Sequence, residues 1–357
     1  MPIKLLIVDD SALMRRQISQ VFEAEGDFKI ALARNGREAV EQNQQFQPDV
    51  ITLDINMPEL DGLSALARIM AERPVPVVMV SSLTEKGALA TFEALALGAV
   101  DYVAKPGGTI SLSIDLVKQA LVEQVRAAVS ARARPPGRAR GLAARLRAER
   151  EALRAAKPAP RKRSDGVAEG LVLIGVSTGG PGTLETILPQ LPADFPYPVI
   201  VAQHMPPAFT GPFAQRMNGM CALNVVEVQR QMDLQAGTVY IARGGADVVV
   251  SARAGKLVVL PRPESRELLW HPSVELLGRS VLEHCSAEHV IAVMLTGMGY
   301  DGADAFAELK QQGARTIAEA EETAVVWGMP RELIERRGAT VVLPNYRIAE
   351  QLLGWSN

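Results

Sequence analysis

The 357-residue chain has only two cysteines, Cys221 and Cys285, and no run of apolar residues long enough to cross a membrane. Two thiols in so long a chain exclude a disulfide framework and favour reduced cysteines. The apolar stretch near the N-terminus is too short for a signal peptide and ends at two aspartates. We therefore expect a cytoplasmic protein without membrane insertion.

Histidine is also scarce, and three of the four histidines stand where structural roles are favoured. His271 precedes a proline at a predicted helix start, while His284 and His289 flank Cys285 near a helix end. This last group lacks the ligand spacing of a recurrent zinc site, so a metal site there is disfavoured. The fourth histidine, His204, follows a strand-like run and is the candidate for acid–base chemistry.

Hydrophobic residues make up 48% of the chain, and the length suffices for two domains with their own cores. Strand-like apolar runs alternate with helical patterns in both halves, which predicts the α/β class with a doubly wound parallel sheet in each domain. In the second half, the runs 239–242, 247–251 and 256–260 predict an antiparallel hairpin appended to the parallel sheet, with Ala254-Gly255 as its turn.

The two halves are joined by a basic segment, 131–165. Its residues 131–163 contain twelve arginines and lysines against Glu149 and Glu151, whereas the whole chain has a formal net charge of -2, so the flanking domains are acidic overall. We interpret it as a solvated interdomain linker, with a docking element for an acidic partner or nucleic acid as the alternatives. The segment has no aromatic residue, which disfavours nucleic acid. The domains then extend over 1–130 and 166–357.

A nucleophile candidate stands where the apolar run 171–176 breaks into a glycine-rich turn. Ser177 lies at the apex of this turn, and a helical pattern follows it. A hydroxyl on a sharp strand-to-helix turn is held clear of the sheet edge, and the amides that open the helix stabilise negative charge beside it. The alternative is a turn that cradles phosphate or is only structural.

Two further strand-like runs of the second half end in the residue types that a serine nucleophile needs. His204 follows 199–202, and Asp301 follows 290–295. In a parallel sheet these loops lie along one edge, so Ser177, His204 and Asp301 can converge as nucleophile, base and orienting carboxylate. Asp304 competes for the carboxylate role, but its position at a helix start favours an N-cap.

The first half gathers acidic, hydroxyl and lysine groups at its strand ends. Asp9 and Asp10 follow the first strand-like run, Asp54 ends another, Ser81 follows a third and Lys105 a fourth. Clustered carboxylates repel one another, which makes sense chiefly when they hold a hard divalent cation such as Mg²⁺. Singly, these residues also fit helix caps and strand exits.

The ordered set of these motifs resembles the receiver domain of two-component response regulators, a flavodoxin-like fold. The matching runs are Val8-Asp9-Asp10, Leu53-Asp54-Ile55-Asn56-Met57-Pro58, Val80-Ser81-Ser82 and Tyr102-Val103-Ala104-Lys105-Pro106. The resemblance implies Asp54 as phosphoacceptor, and Asp9 and Asp10 as acidic residues of the Mg²⁺ site. It also implies Ser81 as the switching hydroxyl, Tyr102 as the switching aromatic and Lys105 as the lysine that contacts the phosphoryl group.

A receiver, a basic linker and a Ser/His/Asp domain in this order resemble the CheB-type protein-glutamate methylesterase/glutaminase family over essentially the whole chain. The second half matches in the runs around Ser177, His204 and Asp301, with weaker support from Pro272-Ser-Val-Glu and Gly328-Met-Pro330. The resemblance implies hydrolysis of glutamate γ-methyl esters and deamidation of glutamines on helical regions of chemoreceptors, with a Rossmann-like catalytic domain. It implies a chemotaxis histidine kinase as phosphodonor, Mg²⁺ for receiver phosphorylation, and no cofactor for hydrolysis.

Backbone N–H groups are the candidate donors for the oxyanion of the tetrahedral intermediate. They belong to Thr178 and to the turn around Met298, because the glycines on either side of Met298 allow close approach and fixed amides need no reorganisation.

Three positions near the crevice differ from the usual family pattern. Tyr300 stands where Asn or Asp is common, Gly244-Gly245-Ala246-Asp247 lacks the histidine that often follows the glycine pair, and Glu319-Ala320-Glu321 replaces Gln-Asp-Glu. Loop residues of this kind select the protein surface that docks, so a receptor of another sensory pathway, such as surface motility, is an alternative substrate.

Two other function classes compete with the esterase. A phospho-regulated protein that binds a nucleotide on the Gly179-Gly180 turn would not need His204 and Asp301 at neighbouring strand ends. A DNA-binding output is disfavoured because the second half lacks a compact basic helix-turn-helix pattern, so we expect no nucleic-acid partner.

Overall fold

The computed structural model describes residues 2–82, 84–105, 111–132 and 170–356. The chain divides into two compact units, Met1–Pro135 and Pro136–Asn357. Apart from its first two residues, the predicted linker 131–165 lies outside the described residues, so its role remains a prediction. Within the described parts of the chain, no helix has both the length and the apolarity needed to span a membrane.

The first unit is a five-stranded parallel sheet in the order β2-β1-β3-β4-β5. This order is that of the flavodoxin-like doubly wound fold. The strands are β1 (Ile3–Val8), β2 (Phe28–Ala33), β3 (Val50–Asp54), β4 (Val77–Ser81) and β5 (Asp101–Ala104), and the helices are α1 (Ala12–Glu25), α2 (Gly36–Gln45), α3 (Gly62–Glu72), α4 (Glu85–Leu97) and α5 (Ser111–Arg132). Apolar side chains of β1, α1 and α5 fill one face of the core, among them Leu5, Ile7, Phe22 and Val125.

The helices of this unit begin at polar residues whose side-chain oxygens accept a backbone N–H of the first turn. These N-caps are Ser11 for α1, Asn35 for α2, Asp61 for α3 and Thr84 for α4. Each satisfies an amide that has no partner inside its helix. These four caps therefore determine the residues at which helices α1 to α4 begin.

The second unit has a seven-stranded parallel sheet in the order β15-β14-β13-β6-β7-β10-β8, with helices on its faces. Its strands are β6 (Leu171–Val176), β7 (Val199–Gln203), β8 (Asn224–Val228), β9 (Met232–Asp233), β10 (Thr238–Ala242), β11 (Asp247–Arg253), β12 (Lys256–Arg262), β13 (Val290–Met294), β14 (Arg315–Glu319) and β15 (Val341–Leu343). Its helices are α6 (Gly180–Ile187), α7 (Pro207–Met220), α8 (Val274–His284), α9 (Ala303–Gln311), α10 (Met329–Glu335) and α11 (Asn345–Trp355). The predicted fold class, with two doubly wound α/β domains, is confirmed.

The predicted hairpin is only partly correct. β11 and β12 pair antiparallel through the Ala254-Gly255 turn, but they form a separate three-stranded sheet with β9. The run 239–242 belongs instead to β10, which lies parallel between β7 and β8. All five residues of β10 are buried, as is typical of a strand covered on both faces, whereas an exposed hairpin strand would alternate.

Helix α8 packs closely on strand β6 because β6 carries a glycine at the contact. A Cβ on Gly175 would lie 2.4 Å from Cγ1 of Val274, the first residue of α8. Val274 is fully buried in the core of the unit, together with Leu277 and Val281 of the same helix. The absence of a side chain at Gly175 therefore sets how near α8 approaches the sheet.

We predict that Gly175→Ala destabilises the second unit by about 1–3 kcal/mol, the usual cost of overpacking a core. Gly182→Ala is the matched control, because its Cβ would meet nothing within 4 Å in helix α6. That variant should be neutral or stabilising by about 0.5–1 kcal/mol. Urea denaturation followed by circular dichroism measures both changes, and equal midpoints for the two variants would contradict this account of the packing.

Candidate active site

The ends of three neighbouring strands bring the predicted site residues of the second unit to one edge of the sheet. Val176 of β6 pairs with Gln203 of β7, so Ser177 and His204 follow at adjacent positions on strands about 5 Å apart. The Ser177 N–H donates to the Thr296 carbonyl beyond β13 at 2.9 Å. β6 is also the strand at which the strand order reverses, where crevices form in open α/β sheets.

His204 and Asp301 are in direct contact. Nε2 of His204 lies 2.8 Å from Oδ2 of Asp301, and their side chains are only 10% and 3% exposed. The carboxylate also accepts the backbone N–H groups of Val274 and Glu275 at 2.7 and 3.0 Å and the hydroxyl of Ser273 at 3.0 Å. The start of α8 therefore holds Asp301 in place.

Asp301 remains ionised in this environment. Burial by itself would raise the pKa of the carboxyl, but the hydrogen bond and charge of His204, with the two α8 amides, lower it below its ordinary value. A carboxylate held in this state fixes the orientation of the imidazole and stabilises its cation.

The second ring nitrogen of His204 is the one left for chemistry. Nδ1 is buried and has no hydrogen-bond partner among the described residues. When Nε2 donates its proton to Asp301, Nδ1 carries a lone pair. The backbone N–H of His204 donates to the carbonyl of Val176, the residue before Ser177, so the histidine lies beside the Ser177 turn. An imidazole nitrogen with a free lone pair can accept a proton, and a carboxylate on the other nitrogen stabilises the cation that results.

Gln203 and Thr296, which were not among the predicted site residues, join the loops that carry the candidate residues. The side-chain N–H₂ of Gln203 donates to the carbonyls of both Ser177 and His204, at 2.9 and 3.0 Å. Thr296 donates its hydroxyl to the Thr178 carbonyl at 2.8 Å. Gln203 directly precedes His204, and that position is the one sequence signal that pointed to it.

Some backbone N–H groups of the turns after β6 and β13 already donate hydrogen bonds within the protein. The N–H groups of Ser177 and Gly297 both donate to backbone carbonyls. The predicted oxyanion donors, Thr178 and Met298, are the next residues along each turn. Gly297 also lies against the nucleophile candidate, since a Cβ there would be 2.8 Å from Cβ of Ser177.

Neighbouring side chains fill the space beside the two glycines that follow Thr178. A Cβ on Gly179 would lie 2.5 Å from Val325, and one on Gly180 would lie 2.0 Å from Oε1 of Gln203. The absence of side chains at these two glycines therefore lets Val325 and Gln203 pack directly against the turn.

Asp304 does not have the capping role predicted for it. Helix α9 begins at Ala303 with Gly302 in the N-cap position, so Asp304 lies in the first turn and its carboxylate pairs with Nε of Arg336 at 2.6 Å. His271 has a structural partner, as expected, because its Nδ1 lies 2.8 Å from buried Asp247.

The predicted acidic site of the first unit is also assembled. Ligand oxygens of Asp9, Asp10 and Asp54 lie within 4.8 Å of one another. Nζ of Lys105 contacts Asp9 at 2.9 Å and Asp54 at 2.8 Å. Three hard oxygen donors at this separation fit the ligand preference of Mg²⁺.

Burial and charge set the ionisation of this acidic site. Burial and the neighbouring Asp9 carboxylate raise the pKa of Asp54, although Lys105 partly opposes the shift. Burial would lower the pKa of Lys105, but its hydrogen bonds to the two aspartates raise it overall. A divalent cation supplies the positive charge that such carboxylates require.

The two predicted switch residues are buried near this acidic site. Ser81 ends β4, and its hydroxyl donates to the Gly87 carbonyl of α4 at 3.3 Å. Tyr102 lies in β5 and is 7% exposed, and burial raises the pKa of its hydroxyl well above the ordinary value. Pro106, the last residue of the quoted motif, lies outside the described residues.

Comparison with known proteins accounts for both units. Residues 172–352 match the family model of the CheB methylesterase, and residues 5–115 match that of the response regulator receiver domain. The chain belongs to the CheB methylesterase family. It is 54% identical to protein-glutamate methylesterase/protein-glutamine glutaminase 3 of Rhodospirillum rubrum, over 99% of this chain and 96% of that protein.

Other members of the CheB family are also similar. A protein of the same name in Vibrio cholerae is 46% identical over 93% of this chain and 91% of its own length. The crystal structure of the Thermotoga maritima CheB methylesterase catalytic domain covers 52% of this chain and 97% of that chain, with 39% identity and a TM-score of 0.50. The expected family and enzyme class are confirmed.

We predict that Gln203→Leu lowers esterase kcat by about tenfold to a hundredfold, because small displacements of reacting groups carry losses of this size. Leucine keeps the volume but cannot donate to the two carbonyls. Gln190→Leu is the control, since that amide bonds to the Thr186 carbonyl on the exposed side of the unit. An unchanged kcat in Gln203→Leu would show that the clamp does not position the loops.

Proposed function

We propose that Ser177, His204 and Asp301 form a catalytic triad that hydrolyses glutamate γ-methyl esters and deamidates glutamines on chemoreceptor signalling helices. The observation that carries the proposal is the environment of His204. One ring nitrogen is bound to a buried, ionised carboxylate, and the other is buried without a partner among the described residues, beside the Ser177 turn.

In the acylation step, Nδ1 of His204 accepts the Ser177 proton as the serine oxygen attacks the ester carbonyl. Asp301 stabilises the imidazolium that forms. When the tetrahedral intermediate collapses, His204 gives the proton to the departing methoxide and methanol leaves; for a glutamine the leaving group is ammonia. A water deprotonated by His204 then cleaves the acyl-enzyme, which regenerates Ser177 and releases the glutamate side chain.

The N–H groups of Thr178 and Met298 are the proposed donors to the oxyanion. Both follow residues whose own amides are fixed by backbone hydrogen bonds, so the turns carry these donors in set orientations. Preorganised donors stabilise the charge that develops in the transition state, and each contributes about 10²–10³ in kcat in other hydrolases.

A nucleotide-binding function for the Gly179-Gly180 turn is disfavoured. The N–H of Gly180 already donates to the Ser177 carbonyl within the turn, at 2.8 Å, so this amide is not free to bind a phosphate. A nucleotide site would also leave the His204–Asp301 contact without a purpose, whereas ester hydrolysis uses it.

We predict that Ser177→Ala lowers methanol release from methylated receptor by at least about a thousandfold, and that adding His204→Ala or Asp301→Ala lowers it little further, because members of a triad act as a unit. Ser286→Ala, an exposed serine of the same unit, is the matched control and should retain full activity. Independent, multiplying losses would argue against a shared triad, and full hydrolysis by Ser177→Ala would exclude the nucleophile.

Asp54 is the proposed phosphoacceptor of the receiver, with a chemotaxis histidine kinase as phosphodonor. Asp9, Asp10 and Asp54 would hold Mg²⁺, which neutralises charge during phosphoryl transfer. Lys105 contacts the carboxylate oxygen of Asp54 and can bind the phosphoryl group, while Ser81 and Tyr102 lie on the adjacent strands β4 and β5 to relay the change.

We predict that a small phosphodonor with Mg²⁺ raises the esterase rate of the full-length protein about tenfold to a hundredfold, which requires roughly 1.4 to 2.7 kcal/mol of differential stabilisation. Asp54→Asn should abolish this stimulation, because an amide cannot accept the phosphoryl group. Methanol release with and without Mg²⁺ measures it. Stimulation that persists in Asp54→Asn would place phosphorylation elsewhere.

A further inference from the structure

An apolar surface borders the His204 side of the active site. It consists of Leu269, Trp270 and Tyr300, which we call the aromatic rim. Tyr300 is 49% exposed, and Trp270 is half-buried between Tyr300 and the histidine. Leu269, which directly precedes Trp270 in the chain, is 75% exposed. Large apolar groups placed together on a surface commonly mark a binding site.

The rim is joined to the catalytic histidine by ring contacts. Trp270 lies parallel to the His204 ring with centroids 6.3 Å apart, and Tyr300 meets Trp270 edge to face at 5.1 Å. Trp270 also lies against the turn of the proposed oxyanion donors, because Gly299 leaves room for its indole. Any protein segment that delivers an ester to Ser177 therefore has the rim beside it.

Two buried aspartates hold the rim in one position. Asp247 accepts the N–H groups of Ser265 and Ser273, at 2.9 and 2.8 Å, and binds His271, the residue after Trp270. The hydroxyl of Ser273 in turn donates to Asp301. The loop is thus anchored on both sides of Leu269 and Trp270, so little conformational entropy is lost when a partner binds.

Resting on the proposed function, we infer that the aromatic rim binds apolar side chains of a helical substrate segment that lie on the same face of the helix as the target glutamyl ester. A helix with its side chains is only about 10–12 Å across, so an ester on its surface reaches Ser177 only when the helix lies on the crevice edge. Trp270 contacts the His204 ring and Tyr300 contacts Trp270, so the rim continues directly from the histidine of the proposed site. Side chains three or four residues apart lie on one face of a helix, so the neighbours of the ester on that face meet the rim.

The test compares two substrates with the full-length protein, namely methylated receptor and a small soluble glutamate γ-methyl ester. For Tyr300→Asn and Leu269→Ser, the ratio of kcat/KM on receptor to kcat/KM on the small ester should fall about fivefold to tenfold, mainly through KM, as expected when one exposed apolar contact is lost. Tyr346→Asn is the matched control, because this exposed tyrosine follows β15, two strands away from β13, and its ratio should not change.

An unchanged ratio in both rim variants, or an equal fall of both activities, would overturn the assignment of the rim. A wild-type protein that hydrolyses the small ester but not the receptor would overturn the proposed function itself. The two failures are therefore distinguished by the wild-type rate on receptor.

Discussion

The hydrogen bonds to the buried carboxylate of Asp301 are the interaction on which the proposed site of the second unit depends. This carboxylate receives two amides and a hydroxyl from the start of helix α8, and it binds His204 from the next strand but one. A buried charge is tolerated only when hydrogen bonds and an opposite charge replace its hydration. The same contacts that stabilise the buried charge of Asp301 therefore fix three elements, α8, β13 and β7, relative to one another. In the proposed mechanism, the imidazole is oriented by the bond that also stabilises the fold.

Close backbone approach is the second constraint, and glycine provides it. Gly175 lets α8 reach β6, so that its first amides reach Asp301, while Gly297 and Gly299 let the turn after β13 contact Ser177 and Trp270. A side chain at these positions would separate groups that must lie within hydrogen-bond distance. The proposed chemistry therefore requires glycine at these contacts as well as the reactive side chains.

The sequence was sufficient for features that depend on strand ends. Parallel strands place their carboxyl ends at one edge, so strand-like runs alone were enough to group Ser177, His204 and Asp301, and likewise Asp9, Asp54 and Lys105. The errors have a different origin. The run 239–242 was paired with its sequence neighbours, whereas β10 lies between β7 and β8, and the partners of a strand depend on crossovers that local periodicity does not record. Likewise, the double hydrogen bond of Gln203 depends on two loops meeting, and no spacing along the chain encodes it.

Strand ends of the two units place Asp54 and Asp301 in opposite electrostatic surroundings. Asp54 lies in a site where burial and the neighbouring Asp9 carboxylate raise its pKa although Lys105 opposes the shift, so its ionised form is less favoured there than in water. Asp301 has a lowered pKa, because its histidine and amides outweigh burial, so its ionised form is favoured. In the proposed function, Asp54 accepts a phosphoryl group, whereas Asp301 keeps one charge state through the catalytic cycle. Their surroundings, rather than their residue type, fit the two aspartates to these different proposed roles.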